Sequence, residues 1–437
     1  MENATLYTNV RPAGGELTSV LVRDGRILAR GIPARGNPAV GNPARDNPAM
    51  GNPAQGNPAQ GNPAQGNPAL SASSLEGVLV VDGGGALMLP GLIDAHAHLD
   101  KTMYGMPWYR NEVGPRLIDK IENERAEKKR LGIDPYRQSA RQIVMSIADG
   151  TSHIRSHVDV DTDIGLAAIE GVMRAREQYR DQIDVELVAF PQSGLLIRPG
   201  TLELMDEALR MGAEVVGGLD PAGMDRDPKG HLDAIFGLAD KHGKPIDIHL
   251  HEAGELGAFS MQMTIDRVLA LGMQGKVTLS HSFCLGMPDT QAVQALTEGL
   301  LKAGVHIMTT GSASRPVPHV ASLRAAGVTI CTGNDGMRDT WGPYGKPDML
   351  ERTMLVGLRN NFRRDDELAL ALDVATYGNA RVMKLADYGL APGCHADFVL
   401  VQAETVAEAI VSRPVRKLVV KRGRVVARDG RALVEAP

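Results

Sequence analysis

Eight short apolar segments alternate with longer helix-like segments through the middle of this 437-residue chain. The predicted strands cover residues 92–98, 151–159, 185–190, 215–219, 246–251, 277–281, 305–310 and 328–333. Helix-like stretches between them include 162–180, 201–211, 231–242, 262–272 and 289–303. Regular strand–helix alternation is typical of a parallel sheet, and eight such units predict an α/β fold of the (β/α)8 TIM-barrel type. Active sites of these barrels lie at the carboxyl ends of the strands.

Both ends of the chain are rich in strand-like segments. Residues 18–29 alternate around an Asp-Gly turn, which predicts a hairpin, and residues 77–89 resemble two further strands. Segments 397–403 and 415–428 have the same character. We therefore predict a small β-sandwich domain built from both chain ends. The predicted division is 1–90 for its N-terminal part, 91–387 for the barrel, and 388–437 for its C-terminal part.

Residues 36–70 form a tandem repeat with a period of five residues, GNPAV, GNPAR, DNPAM, three copies of GNPAQ, and GNPAL. Asn-Pro steps followed by Ala and Gly favour turns or extended polyproline-like backbone. The segment has almost no apolar side chains to bury, so it cannot form a core of its own. We interpret it as a surface insertion in the N-terminal part of the small domain.

Composition excludes several classes of partner. Hydrophobic residues make up 43% of the chain, enough for a large core, and the formal net charge is −5. This balance does not suggest a nucleic-acid partner, and an aromatic content of 4% is low for a base-stacking surface. We find no apolar run long enough to span a membrane and no signal peptide at the N-terminus. Three widely spaced cysteines suit a reducing cytosol. A cytoplasmic homo-oligomer is expected.

His96 and His98 stand at the end of the first predicted strand. Side chains two residues apart share a face of a strand, so both imidazoles point toward one spot. A divalent metal needs such convergence, and the alternative is a buried strand with two hydrogen-bonded histidines. Polar residues also end later strands, where burial is costly unless they are paired or bind a metal. These residues are Gln192, His249, His251, Glu252, Ser280, His281 and Asp335.

Three imidazoles and one carboxylate suit a single zinc or ferrous ion with a position open for water. The predicted ligands are His96, His98, His249 and Asp335, of which Asp335 is also counted as catalytic. Such an ion lowers the pKa of water from about 15.7 toward about 7. Glu252 can then carry a proton to a leaving nitrogen, and His281 can stabilise the developing oxyanion or orient the water. Their structural alternatives are a helix-start carboxylate and a supporting hydrogen-bond partner.

Two other charged segments have weaker interpretations. His157 lies near the end of the second strand, where it could face the pocket. Asp159 could orient a ligand histidine or serve as a structural aspartate. The run Glu122–Arg130 is interpreted as a solvated helix face.

Several stretches together carry a resemblance to the amidohydrolase superfamily, and within it to the cytosine deaminase-like branch. They are PGLIDAHAHLDKT, HIRSHVDVD, ELVAFPQSGLL, ALRMGAEVVGGL, IDIHLHE, TLSHS and TGNDGMRDTWGPYG, in a match from about residue 77 to the end. The resemblance implies one iron or zinc ion on the four residues above, with Glu252 as the proton shuttle and His281 as the catalytic histidine. It also implies that Gln192 hydrogen-bonds the amide edge of a ring and that Trp341 is a pocket aromatic.

Two departures bear on the substrate. Gly336 stands where the resembled deaminases have a second aspartate, which removes a carboxylate and is expected to open space. Lys101 stands where they have a neutral residue, and this lysine is similar to that of the N-isopropylammelide isopropylaminohydrolases, a triazine-cleaving branch. We assign Lys101, with Gln192, Trp341 and His281, to substrate binding, while a surface lysine paired with a carboxylate is the alternative for Lys101.

The predicted function is hydrolytic deamination of an exocyclic amine on a small nitrogen heterocycle of the cytosine, isoguanine or creatinine kind. An alternative is hydrolysis of an N-alkylamino-triazine or of a cyclic amide C–N bond. A third possibility, from another class, is a catalytically silent scaffold protein with the repeat as its interaction element.

Overall fold

The computed structural model describes residues 4–31 and 77–437, so the repeat at 36–70 lies outside the described residues. In chain order the strands are β1 (Ala4–Pro12), β2 (Thr18–Arg23), β3 (Arg26–Arg30), β4 (Leu79–Pro90), β5 (Leu92–Ala97), β6 (Thr151–Asp159), β7 (Asp184–Phe190), β8 (Val215–Leu219), β9 (Ile246–Leu250), β10 (Val277–His281), β11 (His306–Thr309), β12 (Ile330–Thr332), β13 (Phe398–Val401), β14 (Arg416–Lys421), β15 (Arg424–Arg428) and β16 (Arg431–Ala432). The α-helices are α1 (Leu117–Leu131), α2 (Pro135–Ala148), α3 (Ala167–Gln178), α4 (Thr201–Met211), α5 (Pro228–His242), α6 (Gly254–Ala270), α7 (Thr290–Ala303), α8 (Val320–Ala325), α9 (Met349–Arg359), α10 (Asp365–Asp373), α11 (Asn379–Val382) and α12 (Val406–Ser412).

Strands β5 to β12 form one parallel sheet in which sequence order equals spatial order. Its two edges meet where the backbone N–H of Asp335 donates to the carbonyl oxygen of His96 at 2.7 Å. A Cβ on Gly333 would lie 2.4 Å from the backbone nitrogen of His96, so this closure requires glycine. The predicted (β/α)8 architecture is confirmed, and all eight predicted barrel strands are present.

The sequence explains why these segments become strands and helices. Barrel strands are covered on both faces, so residues such as Ile154, Leu187 and Ile248 are fully buried and the strands read as apolar runs. Several helices begin at an aspartate whose side chain accepts backbone N–H groups of the first turn, as Asp289 does for α7. Helix α7 ends at Gly304, which adopts the left-handed conformation.

The other sheet has eight strands from both chain ends, in the order β16-β15-β14-β13-β4-β1-β2-β3. Its two predicted hairpins are confirmed, and their turns at Asp24-Gly25 and Arg422-Gly423 have positive φ. Segment 77–89 was expected to form two strands, and this prediction is wrong because β4 is a single strand with a bulge at Gly83–Gly85. Gly83 is required there, since a Cβ would lie 2.4 Å from Cγ1 of Val10.

The barrel follows the chain-end sheet directly, because β4 ends at Pro90 and β5 begins at Leu92. The division at residues 90 and 388 remains a prediction. Within the described ranges, none of the helices has the length and apolar character needed to cross a membrane.

Candidate metal centre

Four predicted ligands converge at the carboxyl-end rim of the barrel. Ligand atoms of His96, His98, His249 and Asp335 all lie within 4.8 Å of one another. Nε2 of His98 is 3.2 Å from Oδ1 of Asp335 and 3.3 Å from Nε2 of His249. The three imidazoles are at most 3% exposed. Residues from strands β5 and β9, from the position directly after β5 and from the loop after β12 are thus brought to one point.

A chain of polar groups holds His96 from below. Its Nδ1 lies 3.1 Å from the hydroxyl of Ser280, which donates to Oδ1 of Asp247 at 2.6 Å. Asp247 also accepts from Arg155 at 3.2 Å, and Arg155 in turn pairs with Glu186. Such partners orient an imidazole and select which nitrogen faces a metal. Nε2 of His96 is buried without a hydrogen-bond partner, as expected of a ligand atom.

The backbone adopts the left-handed region at two site residues. Asp335 has φ of 67° and His281 has φ of 70°, and neither is glycine. This conformation is energetically unfavourable for residues other than glycine, so the surrounding structure must hold these two residues in it. At Asp335 the closing hydrogen bond to His96 supplies that restraint.

Further imidazoles surround the ligands. The ring of His281 lies 5.0 Å from that of His96 and stacks on His251 at 4.3 Å between centroids. Burial and the neighbouring His251 hold the pKa of His281 well below its usual value, so the ring is neutral. The structure also places His157 against the ligands, 4.1 Å from His96, with both ring nitrogens buried and without hydrogen-bond partners.

Glu252 follows β9, and its carboxylate is held by three donors. Oε1 accepts the backbone N–H groups of Ala222 and Gly223 at 2.8 and 2.7 Å, and Oε2 accepts the hydroxyl of Ser260. Burial raises the pKa of Glu252 above its usual value. A carboxyl group of raised pKa suits a role in which it takes up and releases a proton.

The three other predicted substrate contacts meet at a buried cluster of charged groups beside the ligands. Lys101 is 3% exposed, and its Nζ donates to Oε1 of Gln192 at 2.5 Å and to Asp159 at 3.2 Å. Nζ of Lys101 also reaches Glu124 at 3.3 Å, and Glu124 accepts the indole N–H of Trp341. The structure therefore brings Lys101, Gln192 and Trp341 together, and their contact with substrate remains a prediction.

Glu124 corrects one expectation. The run Glu122–Arg130 was interpreted as a solvated face, yet Glu124 is 2% exposed and Lys128 points with it into the charged cluster. The available signal was spacing, since residues 121, 124 and 128 share one face of a helix and residue 121 is an isoleucine. Glu122, Lys129 and Arg130 are exposed as predicted, whereas Arg125 and Glu127 are half-buried.

The structure around Gly336 corrects a second expectation. The missing aspartate was expected to open space, but a Cβ at Gly336 would lie 2.1 Å from Oδ2 of Asp339. Asp339 is buried, and its other oxygen accepts the backbone N–H groups of Trp341 and Gly342. A neighbouring carboxylate therefore occupies the volume.

The four ligand residues fit a divalent metal. Nitrogen and oxygen donors converge, the imidazoles are buried, and a hydrogen-bonded chain supports one of them. Fold and site together define a metal-dependent hydrolase of the barrel type.

Comparisons with known proteins narrow this class to one family. A profile described as the amidohydrolase family matches residues 79–431. The N-isopropylammelide isopropyl amidohydrolase of Pseudomonas sp. (strain ADP) is 30% identical over 356 residues, covering 80% of this chain and 88% of that protein. The crystal structure of N-isopropylammelide isopropylaminohydrolase from Burkholderia multivorans superposes with a TM-score of 0.86 at 45% identity, covering 99% of this chain and 100% of that one. The 5-methylcytosine deaminase from Klebsiella pneumoniae gives a TM-score of 0.77 at 26% identity, covering 99% of this chain and 98% of that one.

The chain belongs to the amidohydrolase family. It is a hydrolase of carbon–nitrogen bonds other than peptide bonds, and its site is built for a divalent metal. The predicted family and reaction class are confirmed.

Proposed function

We propose that this enzyme hydrolyses an exocyclic C–N bond on a small, oxygenated nitrogen heterocycle and that its preferred substrate is an N-alkylamino-triazine. The main observation in support is the convergence of His96, His98, His249 and Asp335 at the rim of the barrel. In the reaction the bond between a ring carbon and the exocyclic nitrogen breaks, and a bond between that carbon and an oxygen atom forms. Water supplies the oxygen, and a proton passes to the departing nitrogen, which leaves as an amine.

A divalent ion on these four residues, zinc or ferrous iron, would supply activation of water at neutral pH. Glu252 accepts a proton on its carboxylate and donates it to the leaving nitrogen, since burial raises its pKa toward the working range. Neutral His281 stabilises negative charge that develops on the oxygen added to the attacked carbon, or it orients the water.

The substrate side of the site has a polar part and an apolar part. Lys101 and Gln192 touch each other at 2.5 Å and offer a cation and an amide to ring carbonyls and ring nitrogens. Phe190, Leu219 and Met224 form an apolar cluster with Trp341 packed against it, and Phe190 stacks on His249 at 4.1 Å. An alkyl substituent on the leaving amine would match this apolar wall. The 45% identity to the Burkholderia aminohydrolase supports the same substrate class.

Deamination of a pyrimidine-like ring is the second candidate function. It is favoured by Gln192, which suits the amide edge of such a ring, and by the likeness to the 5-methylcytosine deaminase. Here the departing group is ammonia rather than an alkylamine.

Product analysis separates the two candidates. The purified enzyme is incubated with N-isopropylammelide and, separately, with pyrimidines, pterins and creatinine-like rings, and its zinc and iron contents are measured on the same sample. We expect isopropylamine from the triazine and little ammonia from the other rings. Ammonia from a pyrimidine without amine from the triazine would favour deamination, and no product from any ring would contradict both.

A further inference from the structure

A buried carboxylate on helix α1 contacts a lysine of the same helix and two groups from different parts of the barrel rim. Glu124 is 2% exposed, and it accepts Nζ of Lys101 at 3.3 Å, Nζ of Lys128 at 2.8 Å, and the indole N–H of Trp341. Lys101 follows β5 and Trp341 follows β12, so one side chain ties helix α1 to both edges of the closed sheet.

The same cluster extends to two further strands. Asp159, the last residue of β6, accepts Nζ of Lys101 at 3.2 Å and also pairs with Lys128. Gln192, which follows β7, accepts Nζ of Lys101 at 2.5 Å. Helix α1 is thus joined to the rim by a cluster in which the carboxylates of Glu124 and Asp159 each pair with the ammonium groups of Lys101 and Lys128.

Stability alone is a poor reason for this arrangement. Burying charged groups is costly even when they are paired, and well-packed apolar residues often stabilise a protein as well or better. Planar carboxylate and indole groups instead impose direction on the bonds that they make. The groups whose direction Glu124 sets are those that the proposed function brings to the substrate.

We propose that Glu124 is a positioning residue that fixes Lys101 and Trp341, and through Lys101 also Gln192, in the orientation that binds substrate. This inference rests on the proposed function for its kinetic part. Its spectroscopic part does not, because the hydrogen bond from Trp341 to Glu124 exists without substrate.

The chain has two tryptophans, which makes this hydrogen bond observable. Trp108 is 69% exposed, so Trp108→Phe leaves Trp341 as the sole tryptophan emitter. In that background Glu124→Gln retains size but loses the charge that holds Lys101. Its single amide oxygen also cannot accept the two lysines on one side and the indole N–H of Trp341 on the other, as the two carboxylate oxygens do. The matched control is Glu127→Gln on the same helix, whose carboxylate pairs with Arg130 near the surface.

We expect Glu124→Gln to shift the Trp341 emission to longer wavelength and to increase its quenching by acrylamide. KM should rise about tenfold, because the variant loses the charged hydrogen bonds that hold Lys101. We expect kcat to change less than threefold and metal content to be unchanged. Glu127→Gln should match the parent in every measurement. Unchanged emission and KM in Glu124→Gln would overturn the inference. A loss of metal or of folded protein with unchanged KM would show a structural role and would also overturn it.

Two further outcomes are also informative, namely that Glu124→Gln does not fold and that the parent enzyme turns over none of the rings. If Glu124→Gln does not fold, Trp341→Phe removes the same hydrogen bond from its donor side, and a wild-type KM in that variant overturns the inference. If the parent enzyme turns over none of the rings, the proposed function fails, while unchanged emission and quenching in Glu124→Gln would still refute the positioning role. An emission change would then support the held geometry independently of substrate.

Discussion

Glu252 is the residue on which the chemistry depends most directly. Backbone N–H groups of Ala222 and Gly223 and the hydroxyl of Ser260 hold its carboxylate in place. Donors from three residues thus hold the carboxylate in one orientation.

Glu252→Gln should retain metal and lose turnover by about 10²–10⁴-fold, because the amide keeps the shape but cannot carry a proton. Steady-state kinetics and elemental analysis on one preparation test this. Glu255→Gln is the matched control, since Glu255 is an exposed residue in the first turn of α6. A loss smaller than about tenfold would assign the proton transfer elsewhere, with His281 the next candidate.

Removal of a ligand should have a different signature. His96→Ala and Asp335→Ala each take away one of four converging donors, so both metal and turnover should be lost. His251→Ala is the comparison, because His251 pairs with Asp220 at 2.8 Å and lies outside the ligand cluster. We expect the His251 variant to retain metal. If either variant kept both a full complement of metal and its activity, the substituted residue would not be a metal ligand.

At the scale of elements, a buried lysine joins the chain-end sheet to the barrel. Nζ of Lys421, on β14, donates to Asp184 at 2.7 Å and to Asp397 at 2.8 Å. Lys421 is 1% exposed, and Asp184 begins the barrel strand β7. Burial alone would raise the pKa of Asp184, but hydrogen bonding to His153 and the Lys421 charge outweigh it and hold the pKa well below its usual value.

Lys421→Met should lower the free energy of unfolding by about 3 kcal/mol at neutral pH, because it takes the ammonium partner from the buried carboxylate of Asp397. Asp184 is half-buried and loses one of its cations but keeps Arg422. Denaturant unfolding measures this, with Lys417→Met on the same strand as control, since Lys417 donates to the carbonyl of Gly83. The folded pKa of Asp184 is depressed, so its stabilisation is fully present above the unfolded value of about 3.9 and is lost as pH falls below it. The difference between wild type and Lys421→Met should therefore shrink below about pH 4. A constant difference across that range would show that Asp184 is not responsible.

At the scale of the molecule, local patterns and long-range closure differ in what the sequence reveals. Each barrel strand could be predicted because it is buried on both faces and reads as an apolar run. Segment 77–89 was divided wrongly because three glycines resemble a turn and instead form a bulge. The orientation of Glu124 depends on loops that follow β5, β6, β7 and β12, and no local pattern reports such a meeting. The ligand set could be inferred from residue types, whereas its support through Ser280 and Asp247 appears only in the fold.

Deletion of the repeat, residues 36–70, should leave fold and activity close to those of the full chain. Its composition offers no core of its own. Strands β3 and β4 are separated in the sheet by β2 and β1, a lateral distance of about 14 Å at ordinary strand spacing. Because β3 and β4 are parallel, the connection must also return about 17 Å along the strands, which makes a direct distance of about 22 Å. The deletion leaves ten residues between Gly31 and Gly77, which can span about 33 Å. The shortened connection is therefore long enough to preserve the pairing.

Thermal unfolding and kcat/KM of the deleted chain test this expectation. A second variant that removes only residues 41–60 controls for strain in the shortened connection, because it retains a longer link with the same composition. Equal stability and activity in all three proteins would support the insertion as dispensable. Loss of activity with unchanged unfolding, in both variants, would instead place the repeat in contact with the site or with another subunit, and the interpretation as an inert surface insertion would be wrong.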